Sequence, residues 1–292
     1  MSEEIKIKGW VRILLIIIPY IFIVGILQFI AISLAGSDFI DLNIPQPITQ
    51  KLLTLVFSFL GTLIIVAVFV KYVDKEKFSE IGFRVKNKVN EFWIGFFLGL
   101  LIMFGAFGIL ELLDQIQYQA FEFDLSQLIA TILIFILVSF TEEILFRGYI
   151  LRNLMYSFNK YFALILSASI FSFLHGFNPN IDIIGFANIF LAGILLGITY
   201  IHTKSLWFPM ALHFSWNFFQ AILGFKVSGQ NSYSMIRFSM TEPTLLNGGA
   251  FGFEGSILAL ITMIVSIIAI ILYYRRKKPA VTLVNHKKPR TF

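Results

Sequence analysis

Residues 126–157 read SQLIATILIFILVSFTEEILFRGYILRNLMYS. The first part, Leu128 to Phe140, is a membrane-type apolar run. From Thr141 the chain turns polar without a turn signal, so one long helix is expected to carry both parts. Seven further apolar segments flank it, at roughly 11–34, 51–71, 92–113, 161–178, 183–201, 205–224 and 256–274. A helix needs about 20 mostly apolar residues to cross a bilayer. The pattern therefore predicts an all-α, polytopic integral membrane protein of about eight transmembrane helices. The expected domain plan is one transmembrane unit over 1–274, with a basic tail over 275–292.

Composition supports this plan. Hydrophobic residues make up 58% of the 292-residue chain and charged residues 14%, against about 25% charged in globular domains. Mean hydropathy is +0.83. Water could not solvate so much apolar surface, so a soluble globule, a disordered chain and a collagen-like fibre are all excluded. Cysteine is absent. Disulfides, thiol nucleophiles and cysteine metal sites are excluded with it.

The positive charge has a direction. Of the 23 basic residues, only Lys51, Lys226 and Arg237 fall in one set of alternating loops. The rest cluster around 6–12, 71–88, 147–160, Lys204 and 275–290, with Arg147 and Arg152 counted there although both lie inside the fourth span. Positive loops stay in the cytoplasm, so both termini are expected there and the span count is even. The net charge of +6 is thus explained by topology, and no nucleic-acid partner is expected. The tail over 275–292 is expected to lie on an anionic leaflet. Ser33-Leu34-Ala35 resembles a signal-peptide cleavage site, but the run before it is long for such a segment. The stretch from Phe225 to Gly255 reads as a surface loop, with a flap or re-entrant segment as the alternative.

Ionisable groups inside a bilayer are costly and mark functional candidates. Three clusters stand out. In Thr141-Glu142-Glu143-Ile144-Leu145-Phe146-Arg147, Glu143 and Arg147 are i and i+4 and share a helix face. Glu142 is turned away by about 100°. The second cluster is His175, four residues after Phe171. The third is His213 with Asn217, again i and i+4. The bland readings are a loop-end charge patch, an interfacial histidine and helix–helix glue. His202 and His286 read as solvated.

A register argument joins the clusters. The fourth and fifth helices turn near 157–160. Glu142 and His175 are equally far from that turn, about 25 Å along their helices, and should lie at equal depth. A glutamate beside a histidine is a sound general base for water. A second histidine and an asparagine as donors would suit an oxyanion hole. There is no His-Glu-x-x-His helix. These groups together suit a hydrolase adding water to a carbonyl. They would also suit a transporter relaying protons or ions, or a catalytically dead scaffold.

Glu142-Glu143-x-x-x-Arg147, Phe171-x-x-x-His175 and His213-x-x-x-Asn217 resemble the three-motif signature of the CPBP family. These are the CAAX-prenyl-protease and bacteriocin-processing (Abi) intramembrane proteases. The motifs stand in the family order, and none of the six polar positions departs from it. The resemblance implies an intramembrane endopeptidase with a family core at about 90–225 and an active site between helices four, five and seven. Carried over, Glu142 and His175 would activate water, His213 and Asn217 would stabilise the oxyanion, and Glu143 and Arg147 would support them. The family is described both as zinc-dependent and as metal-independent. No cofactor is expected here, with Zn²⁺ as the alternative. The expected partners are a peptide or protein substrate at the membrane and the lipid itself. The expected location is a bacterial plasma membrane.

Overall fold

The computed structural model describes residues 7–36, 47–84, 88–240 and 242–277. The charges expected at Lys6, Lys86 and 278–292, the tail's placement and His286 all lie outside them. Helix α1 spans Gly9–Leu34 and α2 Ile48–Tyr72, starting directly after Pro47. Gly61 lets the pair close, because a Cβ there would sit 3.1 Å from Val24 and Leu27. Two polar clasps cross the pair, Tyr20 to Thr62 at 3.0 Å and Gln28 to Ser58 at 2.8 Å.

Helix α3 spans Val89–Leu112 and α8 Trp207–Ile222, and theirs is the most extensive helix–helix interface. The reason lies in Gly95-x-x-x-Gly99. A Cβ at Gly95 would stand 2.6 Å from the Phe208 carbonyl, and one at Gly99 2.0 Å from the Ser215 hydroxyl. Small residues four apart let two backbones approach where lipid offers no hydrophobic drive.

Helix α4, Leu125–Glu143, begins at Asp124, whose carboxylate accepts from the backbone N–H groups of Ser126 and Gln127. It runs without a break through a π-helical turn, Ile144–Leu151, into α5, Arg152–Ser157. The 33-residue rod is about 50 Å long. Asn159 caps α6, Lys160–His175. Asp182 caps α7, Ile183–Thr203, and Lys204 closes it in a left-handed conformation. Helix α9 spans Ile257–Lys277.

All eight expected segments are helical. Six helices are long and apolar enough to cross a membrane. Helices α6 and α8 have 16 residues each, about 24 Å, and fall short of that length.

Three sequence expectations are corrected. The stretch from Phe225 to Gly255 is not a plain surface loop. Its strand β2, Ile236–Ser239, pairs antiparallel with β1, Gln117–Phe121, and its Phe251, Phe253 and Glu254 are buried. His202 is not simply solvated, since it is partly buried and stacks on Tyr274 with ring centres 5.0 Å apart. Arg147 and Arg152 are not loop charges. Arg147 is 1% exposed. Arg152 joins a buried network with Asp74, Glu76 and Asn153, to which Arg12 adds a 3.1 Å pair with Asp74.

Candidate active site

The polar half of the long rod is wrapped by protein, not lipid. Every residue of the π-helical turn is buried. Such turns shift side chains around a helix and recur at functional sites. Arg147 donates to Glu143 at 2.8 Å and to the Gly193 carbonyl at 3.3 Å. That carbonyl is reachable because Gly193 packs bare against Ala168, where a Cβ would stand 2.9 Å away. The guanidinium also lies 4.6 Å from the centre of the Phe171 ring, where the aromatic face attracts a cation. A buried arginine needs such a complete set of partners.

Glu143 binds a second group on its Oε1. His213 Nδ1 stands 2.9 Å away. One carboxylate thus ties α4 to α8 and, through Arg147, to α7. With Glu143 ionised opposite Arg147, His213 Nδ1 donates, which leaves Nε2 facing Glu142 at 3.9 Å. His175 faces Glu142 from the other side, Nε2 to Oε2 at 3.7 Å. The His175 ring is oriented by Nδ1, 2.8 Å from the Phe171 carbonyl, and by the Phe171 ring with centres 4.3 Å apart. The separations at Glu142 exceed direct hydrogen-bonding range and suit a small bridging molecule.

These groups line one cavity of about 290 Å³. Glu142, Phe171, His175, His213 and Asn217 all border it. Glu143 and Arg147 stand behind, both fully buried. The structure therefore brings the sequence-derived residues together around one point. The equal depth expected of Glu142 and His175 is realised in their 3.7 Å approach. His213, expected somewhat nearer the basic end, is level with both.

Other lining residues were not found by sequence reasoning. Lys51, Asn178, Ser228 and Glu254 also border the cavity. Glu254 is 5% exposed, and its carboxylate accepts from the Ser228 backbone N–H and hydroxyl. Burial pushes its carboxyl above the ordinary carboxylate range, against the opposing pull of Ser228, Gln220 and His175. The available signal was a single acid amid the glycines and phenylalanines of 249–255. Among the described residues, no group of three or more histidines, aspartates and glutamates is arranged to hold a metal ion. His175 and His213 each spend one ring nitrogen on a protein acceptor, and Glu143 is engaged by Arg147 and His213. Glu143 is thus committed to Arg147 and His213, whereas His175 and His213 both keep Nε2 turned toward Glu142.

Residues 124–219 match the family described as type II CAAX prenyl endopeptidase Rce1-like. The matched stretch contains all six motif residues and does not extend to the first three helices or to α9. A search of curated proteins found no match. The resemblance to the CPBP proteases thus stands on a family match as well as on the motifs. It supports an intramembrane endopeptidase within a multi-pass membrane protein.

Proposed function

We propose that the chain hydrolyses a peptide bond of a membrane-associated substrate, with Glu142 as general base. The observation that supports this most directly is one carboxylate flanked by two imidazoles, at 3.7 and 3.9 Å, on the wall of a shared cavity. Water between Glu142 and His175 loses a proton to Glu142 as its oxygen adds to the scissile carbonyl carbon. The carbonyl π pair moves to oxygen. Asn217 and His213 donate hydrogen bonds to that oxyanion, His213 carrying a proton on each ring nitrogen. The oxyanion collapses, the C–N bond breaks, and Glu142 returns its proton to the leaving amine. His175 holds the water in line and Glu143 fixes the His213 ring, with Arg147 behind it. Donors fixed in advance and aimed at developing charge supply large rate terms in such sites.

The mechanism uses no metal. The support is the bonding already described, in which Glu143 is taken by Arg147 and His213. Exhaustive chelation should leave cleavage unchanged, and elemental analysis should find no stoichiometric metal. Loss of cleavage restored by Zn²⁺ would replace this scheme with a zinc-dependent one.

The decisive test compares membranes carrying the native chain with membranes carrying Glu142→Gln, seeking a peptide cut only by the native form. Purified protein in liposomes should then cleave that peptide. Proton movement without cleavage would favour the transporter reading. The chain is read as sitting in a bacterial plasma membrane with both termini cytoplasmic, in keeping with its loop charges.

A further inference from the structure

Residues 231–234, Asn-Ser-Tyr-Ser, run between two anchored points. Before them, Ser228 and Gly229 take positive φ, and Val227 and Gln230 close that turn by exchanging backbone hydrogen bonds at 3.0 and 2.9 Å. Gly229 also donates to the Phe251 carbonyl at 2.9 Å. After them, the Met235 N–H donates to the Ile222 carbonyl, and the Met235 carbonyl accepts from the Glu122 N–H. Between these points the Tyr233 hydroxyl accepts from the Asp124 N–H at 2.8 Å and donates to the Glu122 carbonyl at 3.0 Å. The segment is thereby pinned to the start of α4.

Its own backbone is left out of this bonding. Among the described residues, no N–H or C=O group of Asn231, Ser232, Tyr233 or Ser234 makes a hydrogen bond within the protein. The four residues form no helix or turn, and none has positive φ. None is proline, so each offers a donor and an acceptor. Asn231 is exposed and the other three are half-buried. A row of unpaired main-chain groups is a template for a further strand. This row lies beside the site. Ser228, Gln230 and Ser232 border the catalytic cavity, and Asn231, Ser232 and Tyr233 border a second one of about 320 Å³. Ile134 and Phe135 of α4 border both, as Ser232 does. The passage between the two cavities is thus flanked by Ser232 and by apolar side chains.

We propose that residues 231–234 are a docking strand to which the substrate adds in extended form, passing from the second cavity into the catalytic one. This rests on the protease reading of the site and narrows its substrate class to an extended peptide. An intact helix keeps its N–H and C=O groups paired within itself and has none to offer the strand. Main-chain hydrogen bonds supply the affinity in such strand addition, and Ile134 and Phe135 receive apolar side chains.

The test measures binding without turnover. Glu142→Gln protein in nanodiscs is titrated with a dansyl-labelled apolar hexapeptide and with the same peptide N-methylated at its two central residues. Alternate residues of an added strand turn their main-chain groups to the partner, so one of two adjacent methyl groups faces residues 231–234 in either register. The methylated peptide should bind about tenfold more weakly. Hydrogen exchange at 231–234 should be fast in the free protein and slow with the unmethylated peptide bound. Ser232→Pro removes one N–H from the template. It should weaken the unmethylated peptide and narrow the gap between the two, in protein that elutes normally on gel filtration. Equal affinity of the two peptides overturns the proposal, as does binding without slowed exchange at 231–234. Absence of any binding at millimolar peptide overturns it too, because main-chain pairing makes few demands on sequence. Since no bond is cut, failure here is separable from failure of the protease reading, which native protein with intact Glu142 tests by cleavage.

Discussion

Arg147 shows how much one side chain carries. It holds Glu143, touches Gly193 and lies over Phe171, with almost no exposure. Removing one partner of a buried pair strands the other, at roughly 3–5 kcal/mol. Arg147→Ala should lower the unfolding midpoint and reduce cleavage more than a hundredfold. Arg147→Lys should keep more stability than activity, because an ammonium lacks the planar fork that reaches Glu143 and Gly193 together. Thermal unfolding alongside kcat separates the two losses. Glu142→Gln should leave the midpoint unchanged and abolish turnover. Glu254 predicts a pH dependence. Its carboxyl is raised by burial, so the folded state holds the proton more tightly than the unfolded one. The stability it contributes is complete below the ordinary glutamate range near 4.3 and is lost as pH rises through its raised value. Unfolding midpoints measured from pH 4 to 8 should fall relative to Glu254→Gln; parallel curves would show that Glu254 has no part in that dependence.

At the level of helices, the site depends on backbones that come unusually close. Gly99→Val would drive α3 from α8, which carries His213 and Asn217. The variant should lose activity sharply, whereas Gly105→Ala, where a Cβ would meet nothing within 4 Å, should stay near native. The same comparison explains what was legible beforehand. Apolar runs of about 20 residues declared the helices, and i, i+4 spacing declared the Glu143–Arg147 and His213–Asn217 faces. The register of one hairpin sufficed to place Glu142 level with His175. The π-helical turn was not legible, because no pattern in Ile144–Leu151 distinguishes a π-helical turn from an α-helical one. The His213–Glu143 bond was also hidden. It joins residues 70 apart, and no periodicity within one segment encodes a contact between two. Glu254 was hidden for a related reason, since glycines and aromatics around it read as surface until the fold buries them.

The whole molecule has a polarity that the cavity shares. Its lining residues Lys51, Asn178, Ser228 and Gln230 lie at the ends of helices remote from Lys71, Lys160 and Arg275. The positive-inside rule predicts that the mouth faces away from the cytoplasm. The cysteine-free chain makes this measurable. In intact cells, Asn231→Cys should react with a membrane-impermeant maleimide, and Lys160→Cys should react only after lysis. The reverse pattern would place the mouth in the cytoplasm. A last consequence follows from the shortness of α6. Its outer flank bears Tyr161, Phe162, Ile165 and Phe173, all exposed, yet at about 24 Å it cannot match acyl chains that together measure about 30 Å. A short helix is expected to thin the bilayer around it, and His175 sits at its end. Such thinning would bring headgroups, and a peptide among them, toward His175, so bilayers of shorter-chain lipids should speed turnover and thick ones slow it.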